Sequence, residues 1–299
     1  MIRLRTPLKG KNHYVLALAK LAAKVLIVVL LGGLLGATLV RLAPGFGVDE
    51  EELDTRLSDQ SIQRLRAQQS RESLAKYYVG YLGRLLHGDL GVSRTLEQPV
   101  SRLLAERFPE TMKSVGFGLI LGWSLGLSLA MATVLSRAWF VDAFASFLAA
   151  LLLCLPAAVL ALLFVLTRAP AHLILGLVVF PKIYRYSRNL LSRSASLPHV
   201  LTARAKGLGN ARIFLWHILP TAAPQLLALA GVSISLAFTA AIPVEALCDL
   251  PGIGQLAWKA ALGRDITLLV NLTMIVTLVT LVANSMSEWA GYSFRTATA

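Results

Sequence analysis

Uncharged apolar runs of about twenty residues recur along this 299-residue chain, separated by shorter polar and basic pieces. A helix of that length spans roughly 30 Å, the thickness of a bilayer's hydrocarbon core. The pattern predicts six spans, at residues 21–40, 115–135, 143–167, 171–186, 226–242 and 266–286. Within the second, Gly118, Gly122 and Gly126 fall on one face and leave it nearly flat, so a neighbouring helix of the same bundle can approach closely. Pro156 is expected to kink the third span. Lys182, beside Pro181, belongs near the inner end of the fourth or facing a wet cavity, because a lysine at mid-bilayer is costly. Between the first two spans lies a polar segment, 41–113. In it Leu74, Tyr77, Tyr78, Tyr81, Leu82 and Leu85, and later Val100, Leu103, Leu104 and Phe108, recur at helical spacing. Short helices over an outer mouth are the expectation. The fold class is therefore an all-α integral membrane protein.

Composition agrees, with 56% apolar and 15% charged residues and a mean hydropathy of +0.66. The net charge of +13 could suggest a nucleic-acid partner. Its placement says otherwise. With both termini cytoplasmic, the inner pieces hold fifteen of the 29 Lys and Arg residues and two of the 16 acids, Asp142 and Glu288. The entire excess then lies on the inner face, as the positive-inside rule and anionic lipid require. No nucleic acid is needed, and membrane lipid accounts for the basicity.

The organisation expected is a cytoplasmic basic leader at 1–20, the first span at 21–40 and the outer segment at 41–113. A core of five spans at 114–290, with a cytoplasmic loop at 187–222, and a cytoplasmic tail at 291–299 complete it. A cleaved signal peptide is disfavoured, since the first apolar run is long and Ala43-Pro44-Gly45 makes a poor cleavage site.

Catalytic chemistry is not visible. Cys154 and Cys248 lie too far apart in this topology for a disulfide, and the five histidines lack ligand spacing, so neither a metal nor a cofactor is expected. There is no GxxxxGK[ST] phosphate loop, and Gly207-Leu208-Gly209 lacks the third glycine and preceding strand of a dinucleotide site. An ion- or proton-driven carrier would show acids or histidines inside its spans and two similar halves. Apart from Glu288 at the inner boundary the spans hold no acid, and no internal repeat is evident. A membrane scaffold without transport activity is the third alternative.

The most informative stretch is LTARAKGLGNARIFLWHILP, residues 201–220, which carries Arg204, Lys206 and Arg212 and no acid. Gly207 and Gly209 break its helical pattern, so two short helices joined by a glycine turn are expected. Small side chains at Thr202, Ala203 and Ala205, pointing outward, would suit docking into another protein's groove.

The order Thr202-Ala203, Gly207 and Leu219-Pro220 resembles the cytoplasmic EAA loop of ABC importer permeases: Glu-Ala-Ala, three residues, Gly, nine residues, Ile, one residue, Leu-Pro. TARAKGL from Thr202 is most similar to the first permease of dipeptide and oligopeptide importers. YLGRLLHGDLGVS from Tyr81, ERFPETM from Glu106, and the series Glu245, Pro251-Gly252, Gly254 and Arg264-Asp265 resemble that family too. Leu201 stands where the broad family has Glu, His217 where it has Ile, and Cys248 where peptide permeases usually have Phe. The turn at 168–170 is shorter than theirs.

The resemblance implies the six-helix type I ABC importer permease fold, with a long periplasmic segment between the first two helices, in a bacterial inner membrane. It implies a coupling helix formed by Leu201, Thr202, Ala203, Arg204, Ala205, Lys206, Gly207 and Leu208. It implies a second, homologous permease, two ABC ATPase subunits that hydrolyse ATP on its behalf, and an extracytoplasmic substrate-binding protein. It also puts the fifth span beside the translocation pathway. There the hydroxyls of Ser233, Ser235 and Thr239 either bond back to the backbone or line a polar route. Glu245, Pro251, Gly252, Gly254, Arg264 and Asp265 form an outer scaffold or an outer gate. Peptides are the implied solute. Nickel complexes, opines, glutathione and sugars are alternatives within the family.

Overall fold

The computed structural model describes residues 87–136, 139–166 and 170–298, with short pieces at 19, 22–28, 30–32, 34, 38, 79–80 and 83–84. The leader apart from residue 19, eight of the twenty residues of the expected first span, most of the outer segment, and residues 167–169 lie outside the described residues. A helical stretch, Ala22–Gly32, falls in the expected first span. Among the described residues there is no strand beyond one isolated bridge between Val92 and Pro99.

From Val100 onward the described residues form eight helices: α1 Val100–Ser136, α2 Trp139–Cys154, α3 Ala157–Val165, α4 Ala171–Ala195, α5 Pro198–Ala205, α6 Asn210–Leu247, α7 Ile253–Leu262 and α8 Ile266–Thr298. By length and apolarity α1, α6 and the Ile266–Gly291 part of α8 can each cross a membrane, and α2 with α3 makes a fourth if that pair is one span. Large apolar side chains stand exposed on them, among them Phe117 and Ile120 on α1 and Phe140, Phe144 and Phe147 on α2. In water such a surface would drive association; in lipid it is ordinary.

Several boundaries differ from expectation. α1 runs unbroken through Pro109, so the expected junction between outer segment and core at 113/114 falls inside one helix. The kink expected at Pro156 is present and sharp: α2 and α3 meet at 91°. Pro156 lacks an N–H and sits at φ −58°, ψ 144°, ending α2 before α3 begins. α4 continues nine residues past Tyr186, carrying Lys182, Arg185 and Arg188 in one helix. The helix after Gly209 is not short. It passes Pro220 and runs to Leu247, accommodating the proline with a π turn at Phe214–Ile218. Pro220 cannot donate to Trp216 and its ring crowds that carbonyl, and widening the preceding turn relieves both.

The chain packs as two units. In the first, comprising the described parts of Arg107–Leu256 and Val279–Ala299, α4 is the central helix, flanked by α2, α3 and α6. Its buried residues include Ile174, Leu175, Val179, Ile183, Tyr184 and Leu191. α1 grips α4 through its glycines. A Cβ on Gly118 would come within 2.7 Å of the Leu175 Cβ, and one on Gly126 within 2.8 Å of the Ile183 Cγ2. From the other side, Gly176 of α4 meets Leu121. The second unit comprises the described parts of Ala22–Glu106 and Ala257–Leu278. There the Asp265 carboxylate caps α8 by accepting from the Leu268 N–H at 3.0 Å.

Candidate functional site

Residues 201–208 form the last turns of α5 and its C-terminal turn. Pro198 opens the helix at its first position, where a missing N–H is harmless. Gly207, at φ +75°, closes it. The Gly207 N–H donates to the Arg204 carbonyl at 2.9 Å and the Leu208 N–H to the Ala203 carbonyl at 3.3 Å, the paired bonds of a Schellman ending.

One expectation about this helix is overturned. Ala203 does not point outward: it is 3% exposed and belongs to a core with Val200, Ile213, Phe214, Ile218 and Leu191. Helical phase turns the opposite side out, so Thr202, Ala205, Lys206 and Leu201 (55% exposed) form the outer surface, with Arg204 and Leu208 half-buried. The start of α5 is also tied to the π turn. His199 and His217 stack with ring centroids 6.4 Å apart, and the His199 Nε2 lies 3.2 Å from the His217 carbonyl. The same π turn exposes Leu215 and Trp216.

Nearby, Arg188 of α4 holds Asp142 of α2 in a forked pair, with Nε to Oδ1 at 2.8 Å and Nη2 to Oδ2 at 2.5 Å. Sequence reading counted both charges but did not pair them. They lie 46 positions apart, and only the packing of α2 on α4 brings them together.

The three hydroxyls expected near the pathway separate. Ser233 is 1% exposed, donates to the Ala230 carbonyl at 2.7 Å and accepts from the Trp123 Nε1 at 2.9 Å, so it ties α6 to α1. Ser235, half-buried, accepts from the Asn284 Nδ2 at 2.9 Å. Thr239 is exposed and bonds back to the Ser235 carbonyl at 2.9 Å.

The six residues expected at the outer face lie in or beside two knots. In the first unit Glu245 is 1% exposed, and its Oε2 accepts from the Gly254 N–H at 2.7 Å and the Thr111 hydroxyl at 3.0 Å. The Thr111 oxygen in turn accepts from the Ile253 N–H at 2.8 Å. Gly252 is required by proximity: a Cβ there would overlap the Glu245 carboxylate. Gly254 lies against α6, where a Cβ would meet the Ile242 carbonyl at 2.6 Å. Pro251 is exposed in the turn between them. Thr111 was not singled out from sequence, although it lies in the ERFPETM stretch and a buried carboxylate demands donors. In the second unit Asp265 accepts from the Ser93 hydroxyl at 2.5 Å and the Thr95 N–H at 3.2 Å, joining the 93–95 loop to the start of α8. Arg264 is exposed, with a left-handed φ of +51°. Burial pushes the Cys248 thiol above its ordinary pKa. Among the described residues no cluster of three or more His, Cys, Asp or Glu is placed to hold a metal.

Comparison with known proteins identifies the context. Residues 118–295 match the family described as binding-protein-dependent transport system inner membrane component. The oligopeptide transport system permease protein OppB of Escherichia coli K12 is 30% identical over 263 residues, covering 80% of this chain and 84% of that protein. OppB of Salmonella typhimurium is 29% identical over the same shares. A Brucella suis protein, provisionally named a peptide permease, is 27% identical over 84% of this chain and 89% of its own length.

Proposed function

Because the chain belongs to the family of binding-protein-dependent transport system inner membrane components, we propose that it pairs with a second, homologous permease and is driven by two separate ATP-binding subunits. The chain itself is the multi-pass inner-membrane permease component of an ABC importer, and the family match does not favour a carrier acting alone. An extracytoplasmic binding protein delivers the solute. Peptides are that solute, a reading supported by the names of the OppB relatives.

Six spans with both termini cytoplasmic complete the arrangement, and the basic inner pieces support that orientation. Closure of the ATPases on ATP pushes α5, and the packed bundle switches the side to which its cavity opens. The carrying observation is the shape of α5. It is a two-turn helix, fixed from within by Ala203 and by its glycine ending, with Leu201, Thr202, Ala205 and Lys206 turned out. A push on that outer surface reaches the core directly. Of the candidate pathway hydroxyls, Ser235 and Thr239 fit a solute-facing role and Ser233 fits a helix tie. The Glu245 and Asp265 knots act as the outer scaffold on which gating depends.

The test contrasts two alanines. Ala205→Trp, on the outer surface, should leave the protein inserted and folded yet abolish ATP-driven uptake and copurification of the ATPase. Ala203→Asp should instead destabilise the protein itself, because it buries an unpaired charge. Wild-type uptake by Ala205→Trp would sink the coupling role of α5.

A further inference from the structure

The last helix carries a feature outside the roles assigned above. Thr273, Thr277, Thr280, Asn284, Ser287 and Glu288 follow one another at helical spacing along α8. At 100° per residue they share an arc of about 100° and run for about 22 Å along the axis. Other faces of the same turns carry Ile275, Leu278 and Val282. The helix is otherwise long and apolar enough to cross the membrane.

Threonine hydroxyls can be satisfied by their own helix, as Thr273 is by the Leu269 carbonyl at 2.9 Å and Thr277 by the Thr273 carbonyl at 2.7 Å. Asn284 cannot. Its amide offers two donors and two acceptor positions, and among the described residues its one side-chain bond is Nδ2 to the Ser235 Oγ at 2.9 Å. The contact is close because α6 has no side chain at Gly231, where a Cβ would sit 2.7 Å from the Ser287 Cβ. Asn284 is half-buried. Turned to lipid, its carbonyl oxygen and second N–H would be left in hydrocarbon, which is unfavourable. Turned to a wet route, the same groups are free to bond whatever passes.

We propose that this stripe forms a wall of the solute path and that the Asn284 amide, braced by Ser235, hydrogen-bonds the main-chain amides of the passing peptide. The proposal rests on the permease reading above and extends it to a helix and a residue not yet assigned. From Thr273 to Ser287 the stripe is uncharged. Neutral donors and acceptors in a row match a peptide backbone, which every peptide shares, and hold no side chain selectively.

The experiment uses the full complex in membrane vesicles, in a Cys154→Ala, Cys248→Ser background. Single cysteines at Thr277, Thr280 and Asn284 are compared with cysteines at Ile275, Leu278 and Val282, using a charged, water-soluble methanethiosulfonate reagent. The stripe should react at least tenfold faster than the controls, and trialanine supplied with ATP and the binding protein should slow it. Asn284→Leu should lower kcat/KM for trialanine uptake at least tenfold with subunit assembly intact, while Asn284→Gln stays within about threefold of wild type. Equal, slow labelling of stripe and controls in a complex that still imports would overturn the stripe alone. A stripe protected by the second permease in every nucleotide and solute state would make it a subunit seam and also overturn the proposal. Absence of ATP-driven uptake by the wild-type complex would instead overturn the permease reading, while the stripe itself stands or falls on its labelling.

Discussion

Three glycines on α1 give a graded test of how tightly that helix is held. Gly118, Gly122 and Gly126 all face α4, yet their surroundings differ. An added methyl at Gly122 would meet the Gly176 carbonyl at 3.3 Å and the Phe180 nitrogen at 3.4 Å, contacts that a shift of a few tenths of an ångström relieves. At Gly118 and Gly126 it would meet carbon atoms at 2.7 and 2.8 Å. Carbon atoms prefer about 3.5–4.0 Å, so the helices must part by roughly 0.7 Å or more. Alanine in place of a helical glycine gains about 0.5–1 kcal/mol from the backbone. Overpacking costs about 1–3 kcal/mol. Gly122→Ala should therefore be neutral or slightly stabilising, and Gly118→Ala and Gly126→Ala should each lose about 1–2 kcal/mol net. In a unit of this size that corresponds to a fall of roughly 2–8 °C in thermal midpoint. The measurement is the fraction of purified complex that stays soluble and monodisperse after heating in mild detergent. If Gly122→Ala proved as damaging as the other two, the graded approach of α1 to α4 would be wrong.

Two further outcomes are expected. Glu245→Gln keeps an acceptor for Thr111 and Gly254 and should cost less than about 1 kcal/mol, whereas Glu245→Leu strands both buried donors and should cost about 2–4 kcal/mol; equal melting of the two variants in the same heating assay would refute the knot. In a Cys154→Ala background, an impermeant maleimide should label Cys248 in intact cells more slowly than an exposed thiol, and faster as the pH is raised. The thiolate is the reacting form, and burial raises this thiol's pKa, so less thiolate is present at a given pH. Labelling confined to inside-out vesicles would reverse the proposed orientation.

What the sequence made legible was whatever repeats at short range. The apolar runs marked α1, α6 and α8, and the glycine period on α1 foretold its flat face. Gly207 ends α5 as expected, since only a glycine takes that φ without strain. Longer-range consequences stayed hidden. The inward turn of Ala203 depends on Ile213 and Phe214 folding back onto α5, and small residues alone do not reveal which side is covered. The kink at Pro156 was expected but its size, 91°, was not, and the continuous passage through Pro220 gives the same residue type the opposite outcome. Before Pro220 the helix widens by a turn, whereas Leu155 before Pro156 leaves the helical path. The bonds from Thr111 to Glu245, Trp123 to Ser233 and Arg188 to Asp142 span 134, 110 and 46 positions, and no local pattern anticipates them.

The length of α1 has a mechanical corollary. An ideal helix of 37 residues is about 55 Å long, nearly twice the hydrocarbon thickness, and the close contact of α1 with α4 is at the glycines around Gly122. Tipping it by about 10° about that point would swing Ser136 by roughly 4 Å and carry Val100 roughly 6 Å the other way. A rocker pivoted off-centre in this manner magnifies small movements of its short Ser136 arm into larger ones at its Val100 end.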